Sequence, residues 1–149
     1  MKLEKPINSN LASPGDRTRS PLGFAGIKNL GSICYMNAMI QQFYHVPAFR
    51  YCLLAANDSV APNLVTTASG KTLDDNNLHQ WMRLFGFLEL TDRQDYNPED
   101  FTYSFKQAGG QLLDVRVQQD AQEFLGNAFD KLENSLKDTP MKYLCQSVF

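Results

Sequence analysis

Imidazole is scarce in this chain: its 149 residues include only His45 and His79, beside three cysteines and a single tryptophan. The cysteines (Cys34, Cys52 and Cys145) are odd in number and form no Cys-x-x-Cys pair. That argues against a disulfide framework and against a thiolate zinc site. Reduced thiols suit a reducing compartment, so the cytosol or the nucleus is the expected location. Nowhere does an apolar run approach the roughly 18 residues that span a bilayer, so no membrane association is expected. The first residues carry Lys2, Glu4 and Lys5 instead of the apolar stretch of a secretory signal. Neither charge sign dominates, since 14 Lys and Arg face 16 Asp and Glu for a net charge of -2. Such a balance offers no attraction to a phosphate backbone, and nucleic acid is not an expected partner. No internal repeat is visible. With 43% apolar and 20% charged residues, the chain reads as one soluble globular domain or a piece of a larger one.

Residues 1–22 are rich in Pro, Ser, Asn, Lys and Arg without helical or strand period, and read as a flexible leader. Residues 23–31 form a glycine-punctuated loop. Ser32 is placed to cap a helix opening at Ile33 or Cys34, with Met36, Met39, Ile40 and Phe43 as its apolar stripe. Pro47 ends or offsets this helix, and a short second one follows over 48–56. Residues 57–71 read as a loop. A helix is expected over 74–90, where Leu78, Trp81, Met82, Phe85 and Leu88 share a face. Pro98, Glu99 and Asp100 open a short helix that continues over 101–106. Only 112–117 hints at strand alternation. The clearest helix covers 118–136, with Val117, Ala121, Phe124, Leu125, Ala128, Phe129, Leu132 and Leu136 on one side. The fold class is mainly α.

Cys34 follows a glycine loop and stands where a helix begins. Unpaired backbone N–H groups and the helix dipole favour an anion there, a thiolate included. Nearby N–H groups and the Asn29 amide are candidate donors to an oxyanion. The plainer reading, an inert buried cysteine, stays open on these grounds alone.

Two stretches are more specific. Residues 26–37, Gly-Ile-Lys-Asn-Leu-Gly-Ser-Ile-Cys-Tyr-Met-Asn, resemble the cysteine box of ubiquitin-specific proteases; residues 118–125, Gln-Gln-Asp-Ala-Gln-Glu-Phe-Leu, resemble that family's glutamine box. The two occur in the family's order, and the similarity runs over roughly 24–149. The resemblance implies a papain-like cysteine protease fold of thumb, palm and fingers, of which residues 23–149 would be the helical thumb, interrupted before palm and fingers. It implies that Cys34 is the nucleophile attacking the carbonyl of ubiquitin's C-terminal glycine and that Asn29 helps hold the oxyanion. Asp120 and Glu123 would face ubiquitin's basic tail, with Gln122 shaping the channel. Ser32-Ile33 departs from the family's usual Asn or Ala followed by Thr, which puts the oxyanion contacts in question. Asn29 acting only as a turn residue, and the two carboxylates only as an acidic first helical turn, are the structural alternatives. Tyr35 and Asn37 are expected to fix loop and helix geometry.

Cysteine hydrolysis also needs an imidazole at the thiol. His45 lies eleven residues along the helix from Cys34, about 16 Å at 1.5 Å per residue. His79, with Gln80 beside it and no orienting motif, reads as an ordinary helix histidine. In the resembled family the histidine, its Asp or Asn partner and the zinc-binding Cys-x-x-Cys pairs come from later in the domain, so neither metal nor cofactor is expected here. The apolar ending at 143–149 looks like a break within a domain. The leading expectation is a cysteine-type deubiquitinase by lineage, with ubiquitin and ubiquitinated proteins as partners and little turnover by this chain alone. The alternative is a non-catalytic ubiquitin-binding fragment or inactive relic; a redox sensor built on Cys34 lacks a resolving partner and ranks last.

Overall fold

The computed structural model describes residues 18–56, 62–67, 70–106 and 111–149. Among these, six helices carry the core and four very short strands tie loops to it: β1 (Gly26–Ile27), α1 (Cys34–Tyr44), α2 (Pro47–Leu54), β2 (Leu64–Thr66), β3 (Thr72–Asp74), α3 (Asn77–Leu90), β4 (Asp95–Tyr96), α4 (Glu99–Ser104), α5 (Ala121–Leu136) and α6 (Leu144–Val148). The helix-rich expectation holds. No described helix is long and apolar enough to cross a membrane.

The core is aromatic. Trp81 of α3 is fully buried at its centre, edge-on to Phe101 at 4.9 Å and to Phe85 at 5.7 Å between ring centroids. Phe43 from α1 and Phe49 from α2 close over it, and Phe105 passes the contact on to Phe124 of α5 at 5.2 Å. Burying each such ring contributes about 1.5–3 kcal/mol, so these few residues hold the helices together. Phe149 lays its ring against Phe43, Phe49 and Phe129.

Local chemistry sets the helix starts. Pro47 opens α2, where a missing N–H costs nothing. The Asn76 side chain accepts from the His79 N–H to cap α3, and Asp120 accepts from the N–H groups of Gln122 (2.6 Å) and Glu123 (3.2 Å) to cap α5. Consequently α5 begins at Ala121 and not at 118, and Val117 and Ala121 are exposed instead of joining the buried face.

Other boundaries also move. Part of the expected 57–71 loop is strand β2, paired antiparallel with β3 over 72–74; Asp74 thus leaves the expected 74–90 helix to end that hairpin, and α3 opens only at Asn77. The cause is the buried Asp74. It accepts from the Asn63 and Asn76 N–H groups (2.8 and 3.0 Å), from Gln80 Nε2 (2.7 Å) and from the His79 ring, fastening the hairpin to the first turn of α3. Burial alone would raise its carboxyl, but these donors hold it below the usual value. The alternating 112–117 segment makes one bridge, Leu112 with Lys106, and then turns, with Val117 N–H donating to the Asp114 carbonyl.

Residues 1–17 of the expected leader lie outside the described residues. Its end is fastened: the Arg19 guanidinium donates to the carbonyls of Gly23, Leu88, Glu89 and Thr91, closing the C-terminal end of α3. From there β1 runs parallel to β4.

Tyr96 of β4 is 6% exposed, and burial pushes its phenol up to about 12 from 10.0. The fold therefore favours the neutral ring. That stability is complete below pH 10 and is lost as pH rises through the folded value, a loss of roughly 3 kcal/mol. Phenolate absorbance should show Tyr96 ionising last, and Tyr96→Phe should flatten the alkaline fall in urea midpoint.

Candidate active site

The loop from β1 to α1 is tied down along its length. Gly26 N–H donates to Gln94 O (2.7 Å) and Lys28 N–H to Tyr96 O (2.9 Å), extending the β1–β4 pair. The Asn29 Oδ1 accepts from the N–H groups of Gly31 (3.1 Å) and Ile33 (3.3 Å). Ser32 does not cap α1: its N–H donates to Val115 O at 2.6 Å, and Asn29 satisfies the donor nearest the helix start. Gly31 is needed for close approach, since a Cβ there would lie 2.6 Å from the Val115 carbonyl oxygen. Asn37, one turn into α1, reaches back with Nδ2 to Lys28 O at 3.1 Å and to Ile27 O at 3.5 Å.

Cys34 is the first residue of α1 and is exposed, between the fully buried Ile33 and the buried Tyr35. A branched apolar Ile33 suits this position because its side chain points into the core. The Cys34 and Tyr35 N–H groups have no acceptor among the described residues, as expected of a first helical turn. With Oδ1 committed to the loop, the Asn29 Nδ2 is left without a partner among them, on an exposed side chain. Three donors thus fall within the seven residues 29–35 that contain the thiol.

Helix α5 starts alongside. The Tyr35 ring meets Phe124 edge-on at 5.7 Å, and burial first, then the charges of Cys34 and Glu123, push its phenol up. Asp120 and Glu123 line a cleft of about 960 Å³ with Gln118, Gln119, Phe105 and Lys106. Cys34 and Gln122 are not in its lining, although Gln122 is exposed on the same helical turn. Asp120 fills its structural role as cap while remaining exposed.

No histidine joins this group. His45 caps the far end of α1 and lies edge-on to Phe24. His79 does have an orienting carboxylate, Asp74, contrary to the sequence reading, because strand β3 delivers Asp74 to the start of α3. No contact links it to Cys34 among the described residues. Neither do three metal-capable side chains gather anywhere among them.

Comparison with known proteins adds a family. The pattern described as "Ubiquitin carboxyl-terminal hydrolase" matches residues 25–149. The chain is 35% identical over 132 residues to ubiquitin carboxyl-terminal hydrolase 24 of Mus musculus, covering 89% of this chain and 5% of that protein. It is 32% identical over 136 residues to ubiquitin carboxyl-terminal hydrolase puf of Drosophila melanogaster (91% and 3%), and 30% identical over 153 residues to ubiquitin carboxyl-terminal hydrolase 9Y of Homo sapiens (80% and 6%). It thus spans about a twentieth of the length of these relatives.

Two outcomes follow from the geometry. Gly31→Ala should cost about 1–3 kcal/mol in urea denaturation, because backbone must shift to admit the methyl group. Timed alkylation with peptide mapping should find Cys34 modified first and Cys145 last, since Cys145 is 4% exposed and burial pushes its thiol up to about 11.

Proposed function

The chain belongs to the ubiquitin carboxyl-terminal hydrolase family, and on that premise we propose that Cys34 is the nucleophile of a cysteine-type deubiquitinase centre acting after ubiquitin's C-terminal glycine. The observation that carries this reading is an exposed thiol at a helix start, with unpartnered N–H groups and the Asn29 amide beside it. In the step it would perform, the Cys34 thiolate adds to the glycine carbonyl and the developing oxyanion is met by Asn29 Nδ2 and the Cys34 N–H. Collapse expels the amine, which must take a proton, and leaves a thioester for water to cleave. Asp120, Gln122 and Glu123 would receive ubiquitin's basic tail, opposite charge supplying steering as well as hold. Residues 23–149 would constitute the helical thumb of a thumb–palm–fingers domain, acting in the cytosol or nucleus on ubiquitinated proteins.

The general acid is what this chain does not supply. His45 and His79 are both held elsewhere, so the expected chemistry is one-way capture of an electrophile, without turnover. That same observation favours a second reading, a ubiquitin-binding fragment in which Cys34 does no chemistry.

Ubiquitin bearing a C-terminal electrophile separates them. On the first reading it labels wild type at Cys34 and not Cys34→Ala, while both bind ubiquitin equally. Charge reversal at Asp120 and Glu123 together should slow labelling about tenfold, or roughly 1.4 kcal/mol. Hydrolysis of a fluorogenic ubiquitin amide should stay at background; sustained multiple turnover would show that a base is within reach after all.

A further inference from the structure

We propose that Asn37 is a positioning residue for the oxyanion site: its side-chain amide sets the distance between the Asn29 donor and the Cys34 sulfur. This rests on the reading of Cys34 and Asn29 given above. Asn37 is three residues after Cys34, so both project from neighbouring turns of one face of α1. Its Nδ2 donates to Lys28 O at 3.1 Å, the carbonyl of the peptide bond that leads into Asn29, and more weakly to Ile27 O. The Lys28 N–H is held from the opposite side by Tyr96 O at 2.9 Å. Lys28 is thus clamped at both backbone groups, once by the small sheet and once by the helix that carries the nucleophile. The Asn29 Oδ1 is in turn engaged by Gly31 and Ile33, which fixes the direction of its free Nδ2.

The Asn37 side chain pays for this tie, because its Oδ1 is buried without a partner among the described residues. An apolar side chain of similar size would avoid that cost if filling space were the only task. The reversed amide would set Oδ1 against two carbonyls and is disfavoured, so the assignment of Nδ2 as donor is secure. Among the described residues, Asn37 alone links α1 directly to the peptide preceding Asn29. Losing it would leave Cys34 in place while freeing the Asn29 amide to drift, and a shift of an ångström is enough to lose oxyanion contact.

The test uses the full 149-residue chain and two small reagents. A ¹³C-labelled glycylglycinal adds reversibly to the thiol, forming the S–C bond while the aldehyde oxygen takes the charge and then a proton; iodoacetamide alkylates the same sulfur without creating an oxyanion. Asn37→Leu is expected to weaken the aldehyde adduct about tenfold by NMR titration while changing the alkylation rate less than twofold. Asn29→Ala should do the same, and the double variant should be no weaker than Asn29→Ala alone. Asn37→Ser, whose hydroxyl is too short to reach Lys28 O, should match Asn37→Leu and serves if that variant does not fold. Adduct at wild-type strength in folded Asn37→Leu or Asn37→Ser overturns the proposal. So does a parallel fall of both reactions, or failure of both variants to fold, since each makes Asn37 merely structural. Wild-type adduct strength in Asn29→Ala, or no adduct on wild type, instead overturns the underlying oxyanion reading.

Discussion

Ile33 and Tyr35 go into the core on either side of Cys34, and that pair of burials is what keeps the thiol outside. Ile33 is fully buried, and Tyr35 is wedged against Phe124. For the sulfur to turn inward, α1 would have to rotate and surrender both, at about 1.5–3 kcal/mol for each side chain. Met36, Ile40 and Phe43 add to the same lock further along the helix. The exposure of Cys34 is therefore a consequence of apolar packing by residues on either side of it.

The same packing brings two helix starts together. Tyr35 meeting Phe124 places the beginning of α1 beside the beginning of α5, whose first turn carries Glu123 after its cap Asp120. Each carboxylate has a local reason to be there: Asp120 satisfies two N–H groups, and Glu123 suits the positive end of the dipole. Local stability and the proposed reception of a basic tail thus ask for the same residues. The structural and functional readings of these side chains do not compete.

Away from the site, polar groups do what the short strands cannot. A three-residue hairpin is too small to hold itself; the buried Asp74 with its four donors and the Lys106–Asp75 ion pair at 2.5 Å fasten it to α3 and to the end of the α4 segment, while the Asn77–Ser104 hydrogen bond ties α3 to α4. His79 is drawn into this network, and among the described residues no contact joins it to Cys34. Arg19 plays the comparable part at the other end of α3, donating to four carbonyls.

Helical period, proline and capping signals in the sequence placed α1, α2, α3 and α5 within a few residues, because those signals act over one or two turns. The buried stripes of α1 and α3 could be read from helical period, whereas Asn29, Cys34, Asp120 and Glu123 were singled out by two motif-like stretches whose roles the fold itself does not assign. The starts of α3 and α5 were misplaced where a carboxylate, Asp74 or Asp120, ends the preceding segment. The β2–β3 hairpin was missed because three residues carry no usable alternation. Tertiary structure alone decided that Ser32 binds Val115 instead of capping α1, that Gly31 needs its bare Cα because Val115 passes close by, and that Asn37 holds the Lys28 carbonyl. It also set His45 at the far end of α1 and His79 against Asp74, with no contact from either to Cys34 among the described residues. The physical reason is one of range: periodicity and caps are written in neighbours along the chain, whereas a hydrogen bond from residue 32 to residue 115 depends on how the whole core closes.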